Sequence, residues 1–318
     1  MKKQLCCFMM VWAMIFIWGS TAYAGGKILY VDSYHEGYAW SDGITKGVRS
    51  VLSGADVELR IFRMDTKKNK RKSFIRKMAM NAKAMIEEFK PDVVIASDDN
   101  ASRYLIKPFY KDAELPFVFC GLNWDASAYG FPYKNVTGMI EVASVPKLLE
   151  HLKPFAKGDK IAYLAADVLT SRKEGRYYRT LFNLNIDMRY VKNFASWAKV
   201  YEELQDACDI LIVGNKAGIN DWDDNAAERI VMTKTKVPTG TLYDFMGKYA
   251  LIGYTKIAEE QGEWAAKTAL RVLGGTDIST IPISKNKKGN LIVNNKVAGG
   301  MKITLPESMI LEAVQVIE

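Results

Sequence analysis

"KPDVVIASDDNAS", residues 90–102, shows the pattern that decides the fold. Pro91 and Asp92 close one segment, Val93 to Ala96 is apolar without alternation, and Ser97-Asp98-Asp99-Asn100 leads into a helix-patterned stretch. A strand with no polar alternation is covered on both faces, as in parallel sheets flanked by helices. Small polar residues directly after it lie at its carboxyl end, where the next helix presents free N–H groups.

The same punctuation recurs along the chain. Strand-like runs fall at 27–31, 57–64, 92–97, 116–122, 160–166, 186–191, 209–214, 237–242 and 250–255. Between them lie helix-patterned segments at about 41–53, 72–89, 101–110, 146–153, 173–184, 196–206, 226–234 and 258–273. This alternation predicts an α/β protein whose parallel sheets are flanked by helices. The break at "NVTGMIEVASVPKLLEHLKPF", 135–155, followed by a fresh β-α series, favours two lobes over one long sheet.

Residues 1–24 combine Lys2 and Lys3, an apolar run from Leu5 to Trp18, and Ala22-Tyr23-Ala24. That is the layout of a cleaved signal peptide, too short for a membrane span, and it predicts a periplasmic or otherwise extracytoplasmic protein. Removing Lys2 and Lys3 lowers the formal charge from +8 to +6. Cys120 and Cys208 sit in apolar runs expected in different lobes, so they are read as free buried thiols. The basic run "KKNKRK", 67–72, lacks interleaved aromatics, so no nucleic-acid partner is expected. It reads first as a solvated helix start, and second as a patch for an acidic partner or membrane surface.

At the carboxyl ends of the strands, small, polar and aromatic residues gather. Ser33, Tyr34, His35 and Trp40 follow the first strand; Ser97, Asp98 and Asn100 the third; Asn123 and Trp124 the fourth. Glu141 stands at the break. In the second half the successors include Asp167, Asn215, Tyr243 and Asp244, with Ser171 and Trp222 nearby. Ligands of open parallel sheets collect at this edge. Asp98, Asp99 and Asn100 are equally ordinary helix caps, and Trp124 equally a roof over the sheet. Only His35 and His151 are present as histidines. No G-x-S-x-G elbow, phosphate loop, C-x-x-C or H-E-x-x-H motif occurs, so neither an enzyme nor a metal or other cofactor is expected.

The ordered series "SYHEGYAWSDGITKGV" (33–48), "RMDTKK" (63–68), "KPDVVIASDDNAS", "LPFVFCGLN" (115–123), "NVTGMIE" (135–141) and "LIVNNKVAGGMKITLPESMILEAVQVIE" (291–318) resembles the ABC-transporter substrate-binding family that includes tryptophan- and tyrosine-type binders. "GINDWDDNAAE" (218–228) and "TLYDFMG" (241–247) depart from its pattern. The resemblance implies the type I periplasmic-binding fold, a clamshell with lobe one at 25–140, rejoined by about 250–278, and lobe two at 141–249. Residues 279–318 would close the chain near the hinge. It also implies a monomer that takes a small-molecule solute between the lobes and hands it to an ABC permease. An aromatic box with carboxylates suits an amino acid, with an aromatic one as the guess. The competing reading is a periplasmic sensor that reports closure to a membrane sensor kinase.

Overall fold

The computed structural model describes residues 25–318. The expected signal peptide, residues 1–24, lies outside the described residues. The chain runs β1 (Gly26–Asp32), α1 (Ala39–Leu52), β2 (Val57–Arg63), α2 (Lys72–Phe89), β3 (Val93–Ser97), α3 (Asp98–Ala101), α4 (Lys107–Phe109), β4 (Phe117–Asn123) and β5 (Val136–Glu141). A second series follows: α5 (Val145–Leu152), β6 (Ile161–Ala166), α6 (Leu169–Phe182), β7 (Ile186–Val191), α7 (Phe194–Leu204), β8 (Ile210–Val213), α8 (Asp224–Lys234), β9 (Thr239–Thr241) and β10 (Ile252–Lys256). The remainder is α9 (Ala258–Leu273), β11 (Ser284–Lys285), β12 (Gly289–Asn294), α10 (Asn295–Gly300), α11 (Glu307–Glu312) and β13 (Gln315–Ile317).

Two sheets result. The first has the order β11-β5-β4-β3-β1-β2 and the second β13-β12-β10-β9-β8-β6-β7. Every pairing in the first is parallel. In the second, β10 and β12 pair antiparallel. All five residues of β3 are buried, as its unalternating sequence requires. Along β1 the pleat divides the side chains between two layers. Ile28 and Tyr30 pack with Ile44, Val48, Ala265 and Ala269, while Leu29 and Val31 pack with Ile75, Ala79 and Ala82. Each fully buried Ile, Leu or Val contributes about 1.5–3 kcal/mol.

The chain crosses between the sheets three times, after β5, after β10 and after β11. The family resemblance implies a return to the first lobe from about residue 250. Instead β10 pairs within the second sheet on both sides, with β9 and with β12, and the return begins at α9. The strands of the closing segment, which its composition did not reveal, divide between the sheets: β11 lies beside β5, and β12 and β13 extend the second. At the crossing, the Val142 N–H donates to Asn286 Oδ1 at 2.8 Å and Asn286 Nδ2 donates to the Val142 carbonyl at 3.1 Å. One buried amide thus ties two crossing segments together. Cys120 and Cys208 are buried and unpaired.

The returning helix is seated by backbone contact. A Cβ on Gly47 of α1 would lie 2.1 Å from the Glu259 carbonyl oxygen, and one on Gly262 of α9 would lie 2.0 Å from the Ile44 carbonyl oxygen. Only hydrogen fits at either position. Gly262→Ala should therefore cost about 1–3 kcal/mol by forcing the helices apart. Gly54→Ala, where a Cβ meets nothing within 4 Å, should stay within about 0.5 kcal/mol. Urea unfolding of the two variants checks this; equal midpoints would refute it.

Candidate functional site

Parallel pairing brings the ends of β1, β3 and β4 to one edge, and hydroxyls lock the loops there. Ser33 Oγ donates to the Ser97 carbonyl at 2.5 Å and accepts from the Ala101 N–H at 2.8 Å. Thr66 Oγ1 donates to the Ser33 carbonyl at 2.5 Å, and Asn100 Nδ2 donates to Thr66 Oγ1 at 2.8 Å. Tyr30 donates to Ser97 Oγ at 3.1 Å, and Ser41 donates to Asp32 Oδ1 at 2.8 Å. Ser33, Ser97 and Asn100 therefore build the frame, their polar atoms spent within the lobe.

Asp98 is different. It is 1% exposed, and its Oδ2 has no hydrogen-bond partner among the described residues. Its φ of 65° is left-handed, a conformation Asp tolerates better than most side chains. Gly121, at φ 70°, leaves room across from it: a Cβ there would stand 3.2 Å from Asp98 Oδ1. Burial pushes the Asp98 carboxyl well above its ordinary range, and repulsion from Glu141, Asp32 and Asp99 adds to this, with Lys67 opposing. Neighbouring Asp99 is spoken for. It accepts from Tyr129 and, at 3.4 Å, from Asn123 Nδ2, and Arg103 attends the Tyr129–Asp99 pair.

Aromatic rings and two lysines surround these carboxylates. Tyr34 is buried, packs edge-on to Tyr38 at 5.3 Å, and carries the Lys67 ammonium 4.5 Å above its ring. Burial raises its phenol far above the ordinary value, with Asp98, Asp99, Tyr38 and Glu141 adding to the effect. His35 lies beside Tyr38 at 5.9 Å, half-buried, with Nδ1 unpartnered among the described residues. From the second lobe, Lys256 at the end of β10 pairs with Glu141 and sits 5.4 Å over the Trp40 ring. Tyr243 donates to Glu174 of α6, which also accepts from Tyr163 at 3.2 Å. Burial raises both the Glu141 and Glu174 carboxyls; Lys256 partly counters this at Glu141, and the Tyr243 and Tyr163 hydroxyls, then Lys256, do so at Glu174. Trp40, Leu242, Tyr243, Asp244, Thr255 and Lys256 are among the residues lining an interlobe cavity of about 330 Å³.

Three of the remaining candidates stand elsewhere. Trp124 is 7% exposed and stacks on Tyr177 of α6 at 5.3 Å with rings 4° from parallel, so it joins the lobes through their apolar packing. Asp167 is paired with Arg172 at 2.6 Å, with Lys192 nearby. Asn215 accepts from the Ala217 N–H at 2.7 Å in its own turn. Asp244, exposed, accepts from the Phe245 N–H at 2.9 Å at the cavity wall. The sequence reading missed Lys67, Glu174, Tyr177 and Lys256. Lys256 follows an apolar strand and could have been found by the rule that found Asp98. Ser171, Glu174 and Tyr178 share the buried face of α6 at helical spacing.

Two lobes of helix-flanked parallel sheet with a charged aromatic cleft between them define a binding protein of the clamshell type. The chain belongs to the ABC transporter substrate-binding protein family, whose pattern matches residues 36–317. It is similar in structure to a ligand-free, open substrate-binding protein with adhesive properties from Clostridium difficile, at 18% identity and a TM-score of 0.66, over 92% of this chain and 99% of that one. It is also similar to an ABC domain in complex with L-Trp from Streptococcus pneumonia, at 20% identity and 0.52, over 92% and 100%. A third likeness is an ABC transporter solute-binding protein from Bradyrhizobium with bound bis-tris, at 12% identity and 0.54, over 90% and 86%. These likenesses establish the type I periplasmic-binding fold. No curated protein matches the sequence.

Two outcomes follow from this geometry. Trp124→Ala should destabilise the unliganded protein by about 3 kcal/mol or more, as loss of a core aromatic does. Trp40→Ala, at a half-buried ring, should cost clearly less in the same urea titration. For Asp98 the folded pKa lies above the unfolded one, so the folded chain holds the extra proton. Its contribution is most favourable at or below the ordinary carboxylate range and declines as pH rises through the raised value. Asp98→Asn should raise the thermal midpoint at pH 7 and flatten its decline from pH 4 upward. An unchanged profile would refute the assignment.

Proposed function

We propose that this protein is the extracytoplasmic solute-binding component of an ABC importer, capturing an amino acid with an aromatic side chain between its lobes for delivery to a membrane permease. One observation carries the reading: the buried Asp98 carboxylate has an oxygen without a partner, in a cluster short of positive charge. With Asp99 satisfied by Tyr129, Asn123 and Arg103, Asp98 has Glu141 and Asp32 as like-charged neighbours and only Lys67 opposing them, while Lys256 attends Glu141 and Glu174. A solute ammonium would give the Asp98 oxygen its missing partner, while the zwitterion as a whole leaves the net charge of the cluster unchanged. Lys256, paired with Glu141, would exchange that partner for a solute carboxylate, and Tyr34, Trp40 and Tyr243 offer faces for stacking and cation–π attraction. The 330 Å³ cavity lined by Trp40, Tyr243 and Lys256 suits a small organic molecule. The L-Trp held by the Streptococcus protein, on the same fold, is consistent with such a solute.

The proposed site draws on both lobes, with Asp98, Trp40 and Glu141 from one and Lys256, Tyr243 and Glu174 from the other. A solute touching both favours the closed arrangement, and the crossing segments supply the hinge. Calorimetry with tryptophan, tyrosine, phenylalanine and tryptamine tests the reading. At least one should bind, and Asp98→Asn should weaken it about 10-fold or more, the worth of one charge-assisted hydrogen bond. Because an arriving cation lowers the raised Asp98 pKa, binding should release a proton, seen as heat that varies with the buffer's ionisation enthalpy. Failure of every amine-bearing solute to bind, or an Asp98→Asn variant that binds as well, would sink the assignment.

A further inference from the structure

The loop leaving β2 and the first two turns of α2 form a one-sign surface. Lys68, Lys70, Arg71, Lys72, Arg76 and Lys77 are all exposed, and no Asp or Glu occurs between Asp65 and Glu87. Among the described residues, only Lys68 of the six has an ion pair, with Asp65 at 3.9 Å. Elsewhere the surface lysines are commonly balanced, as Lys236 is by Asp206 at 2.7 Å and Lys248 by Glu228 at 2.7 Å. The arrangement also works against its own helix. The first turn of α2 holds no acidic residue and its N-cap, Arg71, makes no side-chain cap, so the cations there oppose the helix dipole. Lys72 and Arg76 repel at a spacing of four.

This surface begins at the cleft. Lys67, next in the chain before Lys68, lies over Tyr34, and Thr66 is bound by Asn100. We propose that it is a docking surface for an anionic lipid bilayer, holding the mouth of the cleft toward the membrane. The chemistry selects a lipid surface over an acidic protein. Four of the six cations are lysines, and the stretch exposes no aromatic ring, Phe74 being half-buried. Protein interfaces are depleted in Lys and gather aromatics and Arg around an apolar centre. Lipid headgroups need no such shape, since they attract each basic residue within a Debye length of about 8 Å. Met80, 50% exposed, follows one turn beyond Arg76 and Lys77 and offers an apolar side chain to the headgroup boundary.

The test is co-sedimentation of the purified protein with phosphatidylcholine vesicles, with and without about 30% phosphatidylglycerol. Each cation near the surface is worth about fivefold in partitioning. The protein should bind the anionic vesicles in low salt, ignore the neutral ones, and dissociate in high salt. A Lys70→Glu, Lys72→Glu, Lys77→Glu triple variant should partition at least tenfold less with an unchanged thermal midpoint. A control reversing Lys157, Lys192 and Lys199, exposed on the other lobe, should partition within about threefold of the wild type. No binding to the anionic vesicles, equal loss in both triple variants, or tighter binding to a polyglutamate peptide than to the vesicles would overturn the proposal.

Discussion

Parallel pairing constrains this molecule more than any other interaction. When neighbouring strands run the same way, each must be joined to the next by a crossover, and all their carboxyl ends arrive at one edge. The first sheet obeys this without exception, so loops distant in sequence meet there. Ser33, Thr66 and Ala101 come from three different crossovers, yet they are bonded to one another. The second sheet places Tyr243 and Lys256 opposite that edge by the same geometry.

A frame so thoroughly hydrogen-bonded can hold groups that are not, and Asp98 Oδ2 shares that state with Asp32 Oδ2, His35 Nδ1 and Trp40 Nε1. Ser33, Ser97, Asn100 and Asp99 are satisfied by their neighbours, which leaves the Asp98 carboxylate buried without a full set of partners. An isolated buried charge is costly in a folded chain, and Glu141 and Asp32 increase the cost here. The aromatic loop from Tyr34 to Trp40 then has a physical explanation. Tyr34 lies close enough to Asp98, Asp99 and Glu141 for their charges to raise its phenol, and Lys67 and Lys256 lie on the Tyr34 and Trp40 rings as partial counter charges. Outside the cleft, the same Lys67 segment runs on into an unbalanced basic face, so one loop joins the cleft to the surface proposed to meet the membrane.

The apolar runs of the sequence were enough to establish the α/β class, the break after Glu141 and the edge at which polar residues gather, because burial on both faces of a parallel strand leaves its mark on every residue of that strand. Asp98, Glu141 and Tyr243 were legible as candidates for the same reason: each directly follows, or ends, such a run. Other features depended on which elements met in space. Trp124 read equally as a ligand-side ring and as a roof over the sheet, and its stack on Tyr177 of the other lobe has no local signal. The meeting of Glu174 with Tyr243 and of Lys256 with Glu141 joins residues distant in sequence, and the division of β10, β11, β12 and β13 between two sheets has no local signal. Sequence determined periodicity, and with it what each segment could become. Tertiary structure decided partners, because a ring stack or an uncompensated carboxylate is a relation between side chains brought together from distant parts of the chain.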